Sequence, residues 1–280
     1  MPGFLSRREM LAALASSATL LRAADGISVG MIPDAGATQV SIEQKAPLRD
    51  YLAKALGEPV KLIIPTNYNA TVEALGNGSL DFAYLGALTY LKAHERYGVV
   101  PLVQRSIDKQ FHSVFVTQAG SSVKSLADTK GKSFAFGDIN STSGHLIPYR
   151  ELKKAGVDAD RDLKFRYTGS HPATLKAVET GASDAGALDE TVYKTMTGDG
   201  TANASKVRVF HTSEPFVDYV WVARKEVNPA HRDKFANAFL SLKAGHNDDI
   251  LEILRGKEFV RVNDSEYDSV RNVARELKML

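Results

Sequence analysis

The chain has 280 residues, of which 44% are hydrophobic and 24% are charged, as is typical of a globular protein with a sizeable core. This composition excludes a disordered or fibrous chain, and the length allows one large domain or two modest ones. The net charge of +2 excludes a strongly basic protein, so we expect no nucleic acid partner, since binding to phosphate backbones needs clustered Lys and Arg.

The N-terminal segment 1–24 predicts an export signal. Two adjacent arginines, Arg7 and Arg8, precede a short apolar run at 11–21 that is rich in alanine and serine. Because this run is too short to span a bilayer, we interpret segment 1–24 as a cleaved twin-arginine signal peptide. Without it, the chain holds 32 basic and 32 acidic residues and is formally neutral.

The chain contains no cysteine. A lipid-modified cysteine is therefore not available as an anchor, and after residue 24 there is no second apolar run long enough to span a membrane. We expect an exported, soluble protein of the periplasm. The sequence also lacks a His-Glu-x-x-His pattern, and we expect neither a metal nor a cofactor.

Beyond the signal segment, apolar periodicity predicts alternating strands and helices. The first set comprises strands 27–33, 60–65 and 82–85 and helices 44–56 and 69–77. The second set comprises strands 113–117, 133–136, 163–167 and 185–188 and helices 146–155 and 172–180. Strands at 207–210 and 219–224 and helices at 229–242, 247–254 and 265–280 complete the chain.

This alternation predicts an α/β fold of two lobes, each a mostly parallel sheet flanked by helices. We assign residues 25–112 and 219–280 to lobe 1 and residues 113–218 to lobe 2. Two extended hinge crossovers, near 111–116 and 213–222, would join the lobes across a cleft. Because open α/β sheets bind ligands at the carboxyl ends of their strands, the loops after each strand should face this cleft.

The run from Asn140 to Gly144 is the most informative motif. Ser141, Thr142 and Ser143 lie where a strand gives way to a helix, so their hydroxyls and the unpaired N–H groups meet at the positive end of the helix dipole. This arrangement suits an oxyanion. Ser and Thr are also the usual N-caps of ordinary helices, and the motif alone leaves both interpretations open.

Other polar and aromatic side chains follow predicted strands. Tyr68, His171, Asp189 and Asp218 occupy such positions, and a protonated His171 would add positive charge to an anion site. Carboxylates beside hydroxyl donors suit an oxyanion that carries a proton, because a carboxylate accepts from the protonated oxygen and repels a fully ionised ligand. Each residue also has an ordinary interpretation, as a helix cap, a surface histidine or a core tyrosine. Tyr84, with apolar neighbours, is a core candidate.

Taken together, these segments resemble the periplasmic phosphonate-, phosphite- and phosphate-binding proteins of ABC importers. The resemblance runs through most of the chain after the signal segment, and its most specific part is the Ser-Thr-Ser turn. The segments that carry it are Pro47-Leu48, 72–75, 83–86, 125–128, Gly131-Lys132 and 136–144. Three positions depart from the family pattern, with Asn67, Ala87 and Ile139 where aspartate, proline and proline are common.

The resemblance implies a two-lobe periplasmic-binding-protein fold of type II that captures a small phosphorus oxyanion, with no catalysis. It implies that Ser141, Thr142 and Ser143 donate to the oxyanion, and that His171, Tyr68 and Tyr84 line the cleft. Asp189 and Asp218 lie near acidic positions of the family. The implied partner is an ABC permease in the inner membrane, and a cleft that opens and closes fits a monomer.

Two alternatives remain open. The same fold could present its ligand to a sensor kinase or chemoreceptor, and the sequence does not separate these partners from a permease. An exported hydrolase using Ser170 or Ser143 with His171 is the second alternative. The chain contains no Gly-x-Ser-x-Gly elbow, which argues against the hydrolase.

Overall fold

The computed structural model describes residues 26–33 and 42–280. The predicted signal peptide, residues 1–24, lies outside the described residues. Within the described part of the chain, no helix is long and apolar enough to cross a membrane.

Two separate β-sheets organise the fold, which confirms the predicted α/β architecture of two lobes. The first sheet has six strands in the order β11-β4-β10-β3-β1-β2. These are β1 (Ile27–Met31), β2 (Val60–Ile63), β3 (Phe82–Leu85), β4 (Val100–Arg105), β10 (Val220–Ala223) and β11 (Phe259–Arg261).

The second sheet has five strands in the order β7-β6-β8-β5-β9. These are β5 (Ser113–Gln118), β6 (Ser133–Phe136), β7 (Lys164–Tyr167), β8 (Ala185–Asp189) and β9 (Val207–Thr212). All of its strands come from the middle of the chain, whereas the first sheet combines strands from both ends of the described chain.

Helices lie along both sheets. They are α1 (Ala46–Leu56), α2 (Tyr68–Gly76), α3 (Ala87–Tyr97), α4 (Ile147–Lys154), α5 (Ala159–Asp162), α6 (His171–Glu179), α7 (Glu190–Gly198), α8 (Pro229–Leu240), α9 (Asp248–Ile253) and α10 (Asp268–Glu276). A π-helical turn, Thr142–Leu146, runs directly into α4, and 3₁₀ turns occupy Ser106–Gln110, Leu126–Thr129 and Asp264–Tyr267.

The sequence analysis missed α3, α5, α7, β4 and β11, of which α5 and β11 have only four and three residues. The three longer elements were missed for different reasons. The first five residues of α3, from Ala87 to Leu91, are all buried, so the helix begins without the polar face that signals an amphipathic helix. Strand β4 contains Pro101 and ends in the buried polar residues Gln104 and Arg105. Three of the nine residues of α7 are threonines, which lower helix propensity.

Both sheets are mixed, whereas the sequence predicted mostly parallel sheets, and β11 pairs antiparallel with β4 at the edge of the first sheet. Each sheet also contains an antiparallel strand that enters from the other lobe. Strand β10 lies antiparallel between β3 and β4, with Val220 opposite Leu85. Strand β5 lies antiparallel between β8 and β9, with Ser113 opposite Asp189. Both therefore begin at the carboxyl edge of the neighbouring strand, and this brings the connections between the sheets to the edge where ligands bind.

The two connections are hydrogen-bonded to each other. The amides of Phe111 and Phe216 each donate to the carbonyl of the other residue, at 2.8 and 3.0 Å, and the Asp218 amide donates to the Asp108 carbonyl at 3.0 Å. These bonds hold the segments as a short two-stranded ladder between the lobes.

Separate apolar cores support the two sheets. One large core, which contains Leu52, Phe82 and Trp221, packs the first sheet against its helices. The second sheet has one cluster around Phe134 and Leu152 and another that contains Leu175 and Val192.

A buried ion pair lies where β4 meets the first connection. The Arg105 guanidinium donates from Nε and Nη2 to the two Asp108 carboxylate oxygens, at 2.8 and 2.5 Å. Its Nη1 donates to the carbonyls of Leu254 and Arg255, both at 3.2 Å. The side chains of Arg105 and Asp108 are 1% and 0% exposed, so their charges depend on each other.

Removing one partner of this pair should destabilise the protein strongly. Arg105→Met leaves the Asp108 carboxylate buried without its counter-charge, and we expect a loss of about 3–5 kcal/mol in the free energy of unfolding. Urea denaturation measures this loss. Arg161→Met, which removes an ion-paired arginine that is 72% exposed, is the control and should leave the midpoint nearly unchanged. Equal effects of the two variants would contradict a special role for the buried pair.

Candidate functional site

The eight residues proposed from the sequence gather between the carboxyl edges of the two sheets. All are buried, with exposed fractions between 0% and 4%. They are Tyr68, Tyr84, Ser141, Thr142, Ser143, His171, Asp189 and Asp218. Because they come from both lobes and from the second connection, the arrangement depends on how the lobes sit together.

The serine and threonine side chains of the 141–143 turn have different surroundings. The Ser141 hydroxyl accepts a hydrogen bond from the Gly144 amide at 3.0 Å, which makes it the cap of the helix. The Ser143 hydroxyl is buried and has no hydrogen-bond partner among the described residues. Thr142 and Ser143 are the first two residues of the helix, so no intrahelical carbonyl is available to their N–H groups.

Thr142 contacts the opposite lobe. Its Oγ1 accepts a hydrogen bond from the amide of Leu88, in the first turn of α3, at 3.0 Å. Gly86 precedes this turn, and a Cβ atom there would lie 3.1 Å from Thr142 Oγ1 and 3.3 Å from Asp218 Oδ1. A glycine at position 86 therefore permits the close approach of the two lobes.

Asp218 is the acidic residue with unused hydrogen-bonding capacity. Its Oδ1 accepts from the Ala87 amide at 2.9 Å, whereas its Oδ2 is buried without a partner among the described residues. Burial raises the pKa of the Asp218 carboxyl to about 7, although hydrogen bonds from the Ala87 amide and the Thr142 hydroxyl lower it. Near neutral pH this carboxyl can therefore donate or accept a proton.

Both carboxylate oxygens of Asp189 accept hydrogen bonds from the protein. Its Oδ1 accepts from the Thr191 amide, the Thr191 hydroxyl and the Val192 amide at 2.5, 2.7 and 3.0 Å, so it caps α7. Its Oδ2 accepts from the Tyr219 hydroxyl at 2.8 Å. Burial opposes ionisation, but nearby positive charges and these hydrogen bonds hold the pKa of Asp189 below its ordinary value.

His171 joins this network through both ring nitrogens. Its Nδ1 lies 3.3 Å from the Asp189 amide nitrogen, and its Nε2 lies 3.2 Å from the Tyr219 oxygen. A protonated His171 that adds positive charge to an anion site stays a prediction from the sequence.

Tyrosine rings form one wall. Tyr84 stacks on Tyr219 with ring centroids 5.1 Å apart, and Trp221 packs against Tyr84 at 5.0 Å. The Arg105 guanidinium carbon lies 5.1 Å from the centre of the Tyr219 ring, which links the buried ion pair to the site. Tyr68 is the first residue of α2, and its amide donates to the Asp138 carboxylate of the other lobe.

Sequence analysis missed Tyr219 and the first turn of α3 as parts of the site. Tyr219 directly follows Asp218 in the second connection, and that adjacency was the available signal. The amides of Ala87 and Leu88 carry no side-chain signature. Ser170, considered as a nucleophile, instead caps α6 by accepting from the Ala173 amide at 3.4 Å.

Within the described ranges, no cluster of three or more His, Cys, Asp and Glu side chains could hold a metal ion. The arrangement offers hydroxyl and amide donors, one carboxyl of raised pKa and an aromatic wall. These groups can bind a small oxyanion through hydrogen bonds.

Comparisons with known proteins agree with this chemistry. A family model for the periplasmic phosphonate substrate-binding proteins of ABC transporters matches residues 29–267. A probable phosphite-binding protein of an ABC transporter from Prochlorococcus marinus is 31% identical over 91% of this chain and 90% of its own length. A phosphate-import protein from Mycolicibacterium smegmatis is 26% identical over 81% of this chain and 78% of its own length.

A solved structure is similar across nearly the whole chain. It is that of a Prochlorococcus marinus protein in complex with methylphosphonate, and the two folds match with a TM-score of 0.84 at 30% identity. The match covers 91% of this chain and 98% of that one.

Asp218 should make the stability of the protein depend on pH. The pKa of its carboxyl is about 7 in the folded protein, against an ordinary value of 3.8. The protonated carboxyl therefore contributes fully to the free energy of unfolding below about pH 4, and this contribution is lost as the pH rises through 7. Asp218→Asn cannot ionise. We therefore expect the unfolding free energy of the unsubstituted protein to fall, relative to this variant, between about pH 4 and 7.

Chemical denaturation of the ligand-free proteins across this pH range measures the difference. Asp233→Asn, at a position whose side chain is 66% exposed on α8, is the control and should keep the pH profile of the unsubstituted protein. Parallel profiles for Asp218→Asn and the unsubstituted protein would show that the Asp218 carboxyl is ionised at low pH in the folded state.

Proposed function

Because the chain belongs to the periplasmic phosphonate substrate-binding family of ABC transporters, we propose that it captures a small phosphorus oxyanion and delivers it to an inner-membrane permease. The role of this family is to bind substrate, not to catalyse a reaction. The observation that carries the proposal is the buried Ser143 hydroxyl, which has no partner among the described residues and lies at the start of a helix.

Two helix N-termini favour an anion at this place. The turn 142–146 continues into α4 from one lobe, and α3 begins at Ala87 on the other lobe. Their first N–H groups and helix dipoles give positive potential without a charged side chain. We propose that the ligand oxygens accept from Ser143 and from the N–H groups of the turn, with Tyr68, Tyr84 and His171 as walls.

Asp218 suits an oxyanion that carries a proton. Its carboxyl, with a pKa of about 7, can accept from a protonated ligand oxygen when ionised and donate to a bare oxygen when neutral. Ser141, Thr142 and Asp189 then act as positioning residues, because their side chains are already hydrogen-bonded within the protein. Ser141 caps the helix that starts at Thr142, Thr142 accepts from the Leu88 amide, and Asp189 caps α7.

We propose phosphite, methylphosphonate and phosphate as candidate ligands, because the similar proteins from Prochlorococcus and Mycolicibacterium are described with these compounds. The carboxyl groups of the described site argue against aminoalkylphosphonates. The Asp138 carboxylate accepts from the amides of Asn140 and Tyr68, and the Asp189 carboxylate accepts four hydrogen bonds. Burial raises the pKa of Asp218 to about 7. A ligand ammonium would have no dedicated carboxylate among them.

We propose that residues 25–112 and 219–280 form one lobe and that residues 113–218 form the other. The connections near 111–116 and 213–222 are the proposed hinge, supported by their mutual hydrogen bonds at Phe111 and Phe216. We propose that a monomer binds the ligand.

The twin-arginine pattern at Arg7 and Arg8 supports export to the periplasm. The lack of cysteine supports a protein without a lipid anchor. Both agree with the periplasmic family to which the chain belongs.

Ligand affinity should depend on the Ser143 hydroxyl. Ser143→Ala removes a donor to a charged ligand, and we expect the dissociation constant to rise about 10- to 100-fold. Isothermal titration calorimetry measures this constant. Ser183→Ala is a matched control, because Ser183 is also buried with a hydroxyl that lacks a partner in the described part of the chain, and it should leave affinity unchanged.

A ligand panel tests the substrate class. Thermal denaturation with phosphite, methylphosphonate, phosphate, 2-aminoethylphosphonate and sulfate should show a rise in melting temperature with at least one of the first three. We expect 2-aminoethylphosphonate to give a smaller shift than methylphosphonate. The largest shift with the aminoalkyl compound would contradict the proposed selectivity, and no shift with any phosphorus compound would contradict the proposed function.

A further inference from the structure

The segment Asp138 to Thr142, which we call the clasp segment, contacts the opposite lobe through every second residue. Asp138 accepts from the Tyr68 amide at the start of α2. The Asn140 carbonyl accepts from the Thr89 hydroxyl at 3.1 Å, and Thr142 Oγ1 accepts from the Leu88 amide at 3.0 Å. The clasp segment is therefore hydrogen-bonded to the first turns of two helices of lobe 1, α2 and α3.

Lys92 makes a further side-chain contact with the clasp segment. Lys92 lies on α3, one turn beyond Leu88, and its Nζ donates to the Asn140 Oδ1 at 2.7 Å. Neither Lys92 nor Asn140 is among the groups that we place against the ligand. Their hydrogen bond nevertheless joins the two lobes directly next to the anion-binding turn.

Lys92 and Asp138 are charged groups that are partly buried at this contact between the lobes. Burial lowers the pKa of Lys92 and raises the pKa of Asp138, so each group carries a desolvation cost at the interface. The Lys92 charge lowers the pKa of Asp138 in turn. The mutual attraction and the bond to Asn140 reduce these costs in part, and both are lost when the lobes separate.

We propose that Lys92 and Asn140 form an interlobe latch that sets the lifetime of the closed, ligand-bound protein without touching the ligand. This inference rests on the proposed function, in which the lobes close on an oxyanion. Lys92 and Asn140 are positioning residues, since they act on closure and not on the ligand. Their removal should therefore act on release more than on capture.

Stopped-flow kinetics with the best ligand of the panel tests the latch. Lys92→Met and Asn140→Ala should each raise the dissociation rate constant about 5- to 30-fold and leave the association rate constant within about 2-fold. The double variant should release ligand no faster than the more affected single variant, because both substitutions remove one shared contact. Lys54→Met, at an exposed position of α1, is the matched control and should release ligand at the unsubstituted rate.

A measurement on the ligand-free protein tests the contact between the lobes whatever the ligand is. Since the chain has no cysteine, Lys61→Cys and Lys164→Cys place one spin label on an exposed position of each sheet. Pulsed electron resonance then gives the distribution of distances between the lobes. Lys92→Met and Asn140→Ala should shift this distribution toward longer distances relative to Lys54→Met.

The outcomes separate the latch from the proposed function. Binding by the unsubstituted protein, with release rates and distances unchanged by both latch variants, overturns the latch and leaves the proposed function intact. No ligand binding overturns the proposed function and, with it, the effect on ligand release, whereas distances that lengthen in the latch variants would still show that Lys92 and Asn140 hold the lobes together. A latch variant that lowers the association rate and the release rate equally would also contradict the inference.

Discussion

Buried N–H groups at the starts of helices need acceptors, and the way this protein satisfies them determines its site. The Ala87 amide is paired with Asp218, the Leu88 amide with Thr142, the Gly144 amide with Ser141 and the Tyr68 amide with Asp138. Three of these four bonds connect elements that lie far apart in the chain. The same bonds therefore complete the helices, join the lobes and assemble the polar groups that we place against the ligand.

The second connection contributes two residues that link the parts of this arrangement. Asp218 and Tyr219 are adjacent in it, and one reaches α3 while the other reaches Asp189 and His171. The Arg105–Asp108 pair fixes the first connection, and the Asp218 amide donates to the carbonyl of Asp108. The buried Arg105–Asp108 pair is therefore linked to the carboxyl that we place beside the ligand, through the Asp108 carbonyl and the Asp218 amide.

The site also lowers stability, as functional sites often do. A carboxyl with a pKa of about 7 and a serine hydroxyl without a partner among the described residues are unfavourable in a protein interior. Their cost is acceptable if a ligand supplies the missing hydrogen bonds. His171 and Asp189 differ from these two groups, because hydrogen bonds within the protein engage both side chains, and these bonds orient Tyr219.

The sequence by itself determined the fold class, the approximate bounds of most strands and helices, and the importance of the 141–143 turn, since apolar periodicity and a hydroxyl run before a helix are local signals. It could not reveal α3, whose buried start lacks an amphipathic pattern, or the part played by Tyr219. Only the tertiary structure showed that Ser141 caps the helix, that Thr142 contacts the opposite lobe, and that the Ser143 hydroxyl is buried without a partner among the described residues. These three neighbours look alike in sequence, and their differences arise from groups that folding brings near each of them, above all the Leu88 amide on the facing helix.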